Sequence, residues 1–207
     1  MKKILCFGDS NIFGFNPLNG KRYNKNERWS GILQYLLGDK FCIVEAGCNN
    51  RTAFSDNPNG IEQTGYKILP SYLSDNIYSV ILAVGINDLQ KQYHVTENDI
   101  KEGIQKLIDI VKDKASNADI ILVAPTKIDD NIFNSFFSTM FDKESISKSS
   151  RLPYIYEQIA NKNNCKFVNL NDYILPSNID GLHYDVASHS IIAHELYKLI
   201  NDCNSKM

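Results

Sequence analysis

The chain has 207 residues, 43% apolar and 22% charged, with a formal charge of -2, which is room for one domain with a full hydrophobic core. Its basic residues form no stripe that would neutralise phosphates, and no apolar run reaches membrane length, so neither nucleic acid nor a bilayer is an expected partner. Met1-Lys-Lys precedes only a short apolar run (residues 4–7), too little for a secretion signal, so that run reads as a strand and the protein as cytoplasmic.

The first strand, residues 4–7, runs into Gly8-Asp9-Ser10. Residues 30–37 have helical spacing, a second apolar run occupies 41–45, and Ala46-Gly47-Cys48-Asn49-Asn50-Arg51-Thr52 follows it. A helix over 65–76, disturbed by Pro70, leads to a third run at 79–84 that ends on Gly85-Ile86-Asn87-Asp88. The clearest amphipathic pattern is 98–115, where Ile100, Ile104, Leu107, Ile108 and Val111 share one face. Thr96-x-x-Asp99 ahead of it has the form of a capping box. A fourth run at 120–124 is followed by a long segment, 129–150. A helix over 149–163, a fifth run at 166–170, Asp180-Gly181-Leu182-His183 and a helix over 187–202 complete the order.

Continuous rather than alternating apolarity marks strands buried on both faces, as in a parallel sheet. Strands alternating with helices through right-handed crossovers predict an α/β fold: a three-layer α/β/α sandwich on a five-stranded parallel sheet, one domain over residues 1–207. In such a sheet ligands bind beyond the carboxyl ends of the strands. The loops carrying Ser10, Asn50, Asn87 and the Asp180/His183 pair are therefore expected to meet at one edge.

That set of side chains suits acyl transfer. Ser10 can supply a nucleophilic hydroxyl, and His183 can take its proton. Asp180 can accept from the other ring nitrogen and hold the tautomer. The Asn87 amide and the Ser10 N–H can donate to an oxyanion, with a third donor from the loop after strand two. Each such donor is worth on the order of 100- to 1000-fold in turnover. Each piece also has a plain structural reading, as a turn, a strand end or a helix cap. Their joint occurrence after strands one, three and five favours chemistry.

Taken together, Gly8-Asp9-Ser10, Asn49-Asn50-Arg51-Thr52, Gly85-Ile86-Asn87-Asp88 and Asp180-Gly181-Leu182-His183 resemble the sequence blocks of the SGNH (GDSL-type) hydrolases. Arg28-Trp29 and Arg51-Thr52 are most similar to the arylesterase and acyltransferase branch. The resemblance spans residues 3–200. It implies a flavodoxin-like fold, no cofactor, Ser10 as nucleophile, His183 as base, Asp180 as its orienting acid, and the Ser10 N–H and Asn87 in the oxyanion hole. One position departs from the pattern: Asn50 stands where the family usually has a glycine whose N–H faces the oxyanion. Asn50 keeps the N–H, while its side chain adds bulk or a polar group at the pocket mouth. Gly47 reads as a turn glycine.

The function expected is a serine esterase hydrolysing small carboxylic esters, such as acetyl groups on a sugar or other small molecule, through an acyl-enzyme. An acyltransferase passing the same acyl group to an alcohol is the alternative. A non-catalytic flavodoxin-like module holding a phosphate cofactor is the rival from another class, disfavoured because Asp9 in the first loop would repel phosphate. Trp29, Tyr93 and Phe136 are candidate pocket walls, with Phe13, Phe15 and His94 as further ones. Asp9 and Asp88 read as loop braces. Phe133, Phe136, Phe137, Met140 and Phe141 cluster in 129–150. They can cover the acyl pocket, make a subunit contact in a homo-oligomer, or pack as an extra helix on the core. His189 and His194, five apart, are not a metal pair and are expected on the helix surface or half-buried. The five cysteines are scattered with no Cys-x-x-Cys pair, which argues against disulfides and a thiolate zinc site.

Overall fold

The computed structural model describes residues 1–204, with side chains through residue 201, so Cys203 lies outside the described side chains. Five strands, β1 (Lys2–Gly8), β2 (Phe41–Gly47), β3 (Ile77–Ala83), β4 (Asp119–Ala124) and β5 (Lys166–Asn169), form one all-parallel sheet in the order β2-β1-β3-β4-β5. The fold is the three-layer α/β/α arrangement expected. Alternate residues of β1 serve opposite layers. Leu5 and Phe7 enter the core beneath α4 (Glu97–Lys114) and α6 (Leu152–Asn163). Ile4 and Cys6 enter the one beneath α2 (Trp29–Leu37) and α7 (Val186–Asn204). Both faces are covered, which is why the strands read as unbroken apolar runs.

Helix α4 carries the expected capping box: the Asp99 N–H donates to Thr96 Oγ1 and the Thr96 N–H to Asp99 Oδ2, at 3.2 and 2.7 Å. Two other helices differ from expectation, both at prolines. The predicted 65–76 helix is one turn of α-helix, α3 (Gly65–Ile68), followed by a 3-10 turn, Leu69–Tyr72, with Pro70 near its start. Proline has no N–H to continue an α-helical ladder. The predicted 149–163 helix is preceded by a separate one, α5 (Lys143–Ser149), because Pro153 sits at the start of α6, where it opens a helix and cannot extend one. No helix among the described residues is long and apolar enough to cross a membrane.

The register sets the site. Gly8 pairs with Gly47 on one side and Ala83 on the other, so three strands end level. The chain order reverses direction between β1 and β3, and the loops after them diverge to leave a crevice. Glycine is required at two of these ends. A Cβ on Gly8 would lie 2.0 Å from the Ala83 carbonyl oxygen, and one on Gly47 would lie 2.2 Å from the Phe13 nitrogen. Gly47 thus closes β2 and lets the helix after β1 settle against it, a packing role where a turn was expected.

Candidate active site

Ser10 is the first residue of a four-residue helix, α1 (Ser10–Phe13), that springs directly from β1. Asp9 caps it, its carboxylate accepting from the Asn11 N–H at 2.9 Å. Burial pushes the Asp9 carboxyl up to about 7. The Ser10 N–H is the first of the helix and has no intrahelical acceptor. Ser10 Oγ lies 2.8 Å from His183 Nε2. His183 Nδ1 lies 2.7 Å from Asp180 Oδ2, and Asp180 Oδ1 accepts the N–H groups of Leu182 and His183 at 3.0 and 2.9 Å. Burial raises the Asp180 carboxyl, but the His183 hydrogen bond and charge outweigh it and hold the group below its usual range. An ionised Asp180 therefore accepts from Nδ1–H, which leaves Nε2 free to accept the Ser10 hydroxyl proton. Ser10, Asp180 and His183 are all buried, so this chain of hydrogen bonds competes little with water.

The 177–183 loop is stapled in place. The Ser177 N–H donates to the His183 carbonyl at 2.7 Å, and the Asp129 N–H to the Gly181 carbonyl at 2.9 Å. The His183 ring is flanked by Phe15 and Phe137, with centroids 4.3 and 5.1 Å away.

Two other loops line the cavity beside the serine. Cys48 to Arg51 form a turn closed by the Arg51 N–H on the Cys48 carbonyl at 3.2 Å, with Asn50 at φ 61°. The third turn position with positive φ is where glycine or asparagine is favoured, so Asn50 occupies the usual glycine site at small cost. Among the described residues its N–H has no acceptor. Asn87, on the 3-10 turn Ile86–Leu89 after β3, donates one Nδ2 hydrogen to the Arg51 carbonyl at 3.1 Å and has a second for the crevice. Arg51 is itself buried, with its guanidinium on the Gly8, Ala46 and Glu62 carbonyls, and so joins the ends of β1 and β2. Asp88 accepts three N–H groups, from Ala53, Phe54 and Ser55, at 2.6, 3.0 and 2.8 Å, bracing that loop against β3.

Ser10, His183, Asn49, Asn50 and Asn87 open on one cavity of about 220 Å3, whose other walls are Phe15, Phe136, Phe137, Met140 and Leu182. The 129–150 segment thus supplies three of its walls, while Ile132 and Phe141 of the same segment are buried in the core. Of the three predicted pocket walls, only Phe136 is there. Trp29 is buried in the core beneath α2 and α7, donating from Nε1 to the Asn11 carbonyl at 3.1 Å, because the core-facing side of α2 turns it inward. Tyr93 packs against the core layer that holds Leu5 and Phe7. Phe13 lies beneath the Arg22 guanidinium, and His94 lines a separate depression with Asp142 and Glu144. Leu182, a further wall, and Gln90, which bonds to Asn50 and Asn87 without lining the cavity, are not singled out by the sequence. Gln90 stands three residues after Asn87 on a turn of 3-10 periodicity, a spacing that puts the two on the same side.

His189 is not at the surface: α7 presents it to α2, fully buried between Tyr23 and Tyr184, with Nδ1 accepting the Trp29 N–H at 3.3 Å. Burial lowers its pKa to about 4 and keeps it neutral. His194 is exposed on α7 and donates to the Ser190 carbonyl one turn back.

The family model of the GDSL-like lipase/acylhydrolase family matches residues 6–191. The chain superposes on Est24, a carbohydrate acetylesterase from Sinorhizobium meliloti, with 28% identity, a TM-score of 0.91, and coverage of 98% of this chain and 100% of that one. The aryl esterase of M. smegmatis gives 26% identity, a TM-score of 0.91, and 98% and 99% coverage. A member of the lipolytic G-D-S-L family from Veillonella parvula, 15% identical with a TM-score of 0.71 over 97% and 99% of the two chains, shares the fold. No curated protein matches the sequence.

Proposed function

Because this chain belongs to the GDSL-like lipase/acylhydrolase family, we propose that it hydrolyses short-chain carboxylic esters through an acyl-enzyme on Ser10. Ester hydrolysis is the activity carried by its structural neighbours, an aryl esterase and a carbohydrate acetylesterase. The observation that carries the mechanism is the continuous hydrogen-bonded line Ser10–His183–Asp180, 2.8 and 2.7 Å per link, at the wall of a cavity that also holds Asn50 and Asn87.

The Ser10 Oγ attacks the ester carbonyl carbon as its proton passes to His183 Nε2. The carbonyl electron pair moves to oxygen, where the N–H groups of Ser10 and Asn50 and the free Nδ2–H of Asn87 receive it. As the oxyanion collapses, the C–O bond to the alcohol breaks and the departing oxygen takes the proton from Nε2. Water then repeats the sequence on the acyl-enzyme, with His183 as base, and frees Ser10. Asp180 remains ionised throughout, fixing the ring and its tautomer.

The cavity of about 220 Å3 is smaller than typical drug-sized sites, which run to roughly 300–1,000 Å3, and suits an acyl group of two to four carbons. Beyond Phe15, Phe136 and Phe137 lies a second depression, also lined by Pro17, Ser135, Ile179 and Asp180, that suits the alcohol part of an aryl or sugar ester. Its apolar walls also favour a second reading, in which a bound alcohol competes with water for the acyl group. The cysteines at 6, 42, 48 and 165 are free, which fits a reducing compartment, and we place the enzyme in the cytoplasm.

A p-nitrophenyl ester series tests the reading. Acetate and butyrate are expected to be turned over and octanoate far less, and Ser10→Ala to lose at least 1000-fold on all of them. A Ser10→Ala variant with wild-type turnover would remove Ser10 as nucleophile, and product analysis with added alcohol separates hydrolysis from transfer.

A further inference from the structure

The Gln90 side chain joins the two oxyanion donors that lie outside the nucleophile helix. Gln90 is almost fully buried. Its Nε2 lies 2.6 Å from Asn50 Oδ1 and 3.2 Å from Asn87 Oδ1, and its Oε1 accepts from Gln92 Nε2 at 3.3 Å.

The orientation of all three amides follows from one backbone group. The Arg51 carbonyl can only accept, so the Asn87 atom 3.1 Å from it must be Nδ2. Asn87 therefore presents Oδ1 to Gln90, which must answer with its NH2. That NH2 also faces Asn50, whose nearer atom must in turn be Oδ1. No member can flip without setting two donors or two acceptors against each other in a buried site, where an unpaired polar group is costly.

The consequence reaches the reacting atoms through both neighbours. Holding Asn87 Oδ1 keeps the unused Nδ2–H pointed at the crevice. Holding the Asn50 side chain, while Asn57 Nδ2 holds the Asn50 carbonyl at 2.8 Å, fixes the Cα of the residue that carries the other donor N–H. A glycine at position 50 would have no side chain to hold. We infer that Gln90 is a positioning residue that locks Asn50 and Asn87 into one oxyanion-binding unit, and that the Asn50 side chain is a strut in that unit.

The inference rests on the ester-hydrolase reading, and its test separates the two. Steady-state kinetics on p-nitrophenyl acetate are measured for wild type, Gln90→Leu, Asn50→Gly and the double variant. Gln90→Leu is expected to lower kcat about 10- to 100-fold with KM within about twofold, since the donors matter most to the transition state. In the Asn50→Gly background the same change is expected to cost at least fivefold less, because the strut is already gone. Wild-type kcat in Gln90→Leu, a loss confined to KM, or equal losses in both backgrounds would each overturn the inference and leave the ester reading intact. Should Gln90→Leu fail to fold, Gln90→Glu takes its place, since the carboxylate keeps the volume but cannot donate to either Oδ1. Independently of turnover, the Asn87 side-chain and Asn50 backbone amide signals of the free protein should shift in Gln90→Leu, and unchanged signals would also overturn the inference.

Discussion

Replacing Asp180 by asparagine exchanges one oxygen for an NH2 and, through the surrounding geometry, moves the proton on His183. Oδ1 now serves two backbone N–H groups and Oδ2 serves Nδ1. An asparagine has one oxygen for these three donors. If it stays on the backbone pair, the NH2 faces Nδ1 and makes it an acceptor. The ring proton then sits on Nε2, against Ser10 Oγ, and the imidazole cannot take the serine proton. The opposite placement sets the NH2 against two buried backbone donors, at about 1–3 kcal/mol for each one left unpaired. The first arrangement is cheaper, so the variant should fold with the wrong tautomer. In the serine-protease triad the equivalent change costs about 10,000-fold in kcat, or about 5.5 kcal/mol of barrier at 1.36 kcal/mol per decade. Turnover of p-nitrophenyl acetate, measured beside the unfolding midpoint, is the assay. A folded Asp180→Asn variant keeping more than a tenth of wild-type kcat would refute the assignment of Asp180 as the group that holds the ring.

Acid should destabilise the protein through His189. Its folded pKa of about 4 lies below the unfolded value near 6.5, so its contribution is full above pH 6.5 and is lost as pH falls toward 4. Urea unfolding should show about 2 kcal/mol of that loss between pH 7 and 5, absent in His189→Asn; equal losses in both proteins would exclude it. Glu45, held down to about 2 against burial by hydrogen bonds from Arg28 and Ser30 and by the charges of Arg28 and Arg22, stabilises the fold above pH 4.5, and the effect fades as pH falls toward 2. Glu45→Gln should cost about 2 kcal/mol at pH 7, discounted for partial exposure, and little at pH 2.5; a pH-independent difference would contradict the pairing. Gly8→Ala would drive a Cβ into the Ala83 carbonyl and should cost about 3 kcal/mol or prevent folding. A melting temperature within 2 °C of wild type would show that the β1–β3 contact can relax.

The amino-acid sequence by itself determines the strands, the main helices and the chemistry of the loop residues. Apolar runs such as Ile4–Phe7 are continuous because both sheet faces are covered, and the stripe from Ile100 to Val111 repeats with the helical turn, so both are written locally. Ser10, Asn50, Asn87, Asp180 and His183 are legible for the same reason: each follows directly on a strand end or a turn whose type its own neighbours encode. Direction across the fold is decided elsewhere. Trp29 and His189 lie 160 residues apart and bury each other only when α2 packs on α7. Phe137 reaches His183, and Gln90 reaches Asn50, only after separate loops meet above the sheet. Sequence spacing constrains a side chain within its own turn, whereas which wall it joins depends on how distant elements dock, and that is settled by the packing of the whole chain.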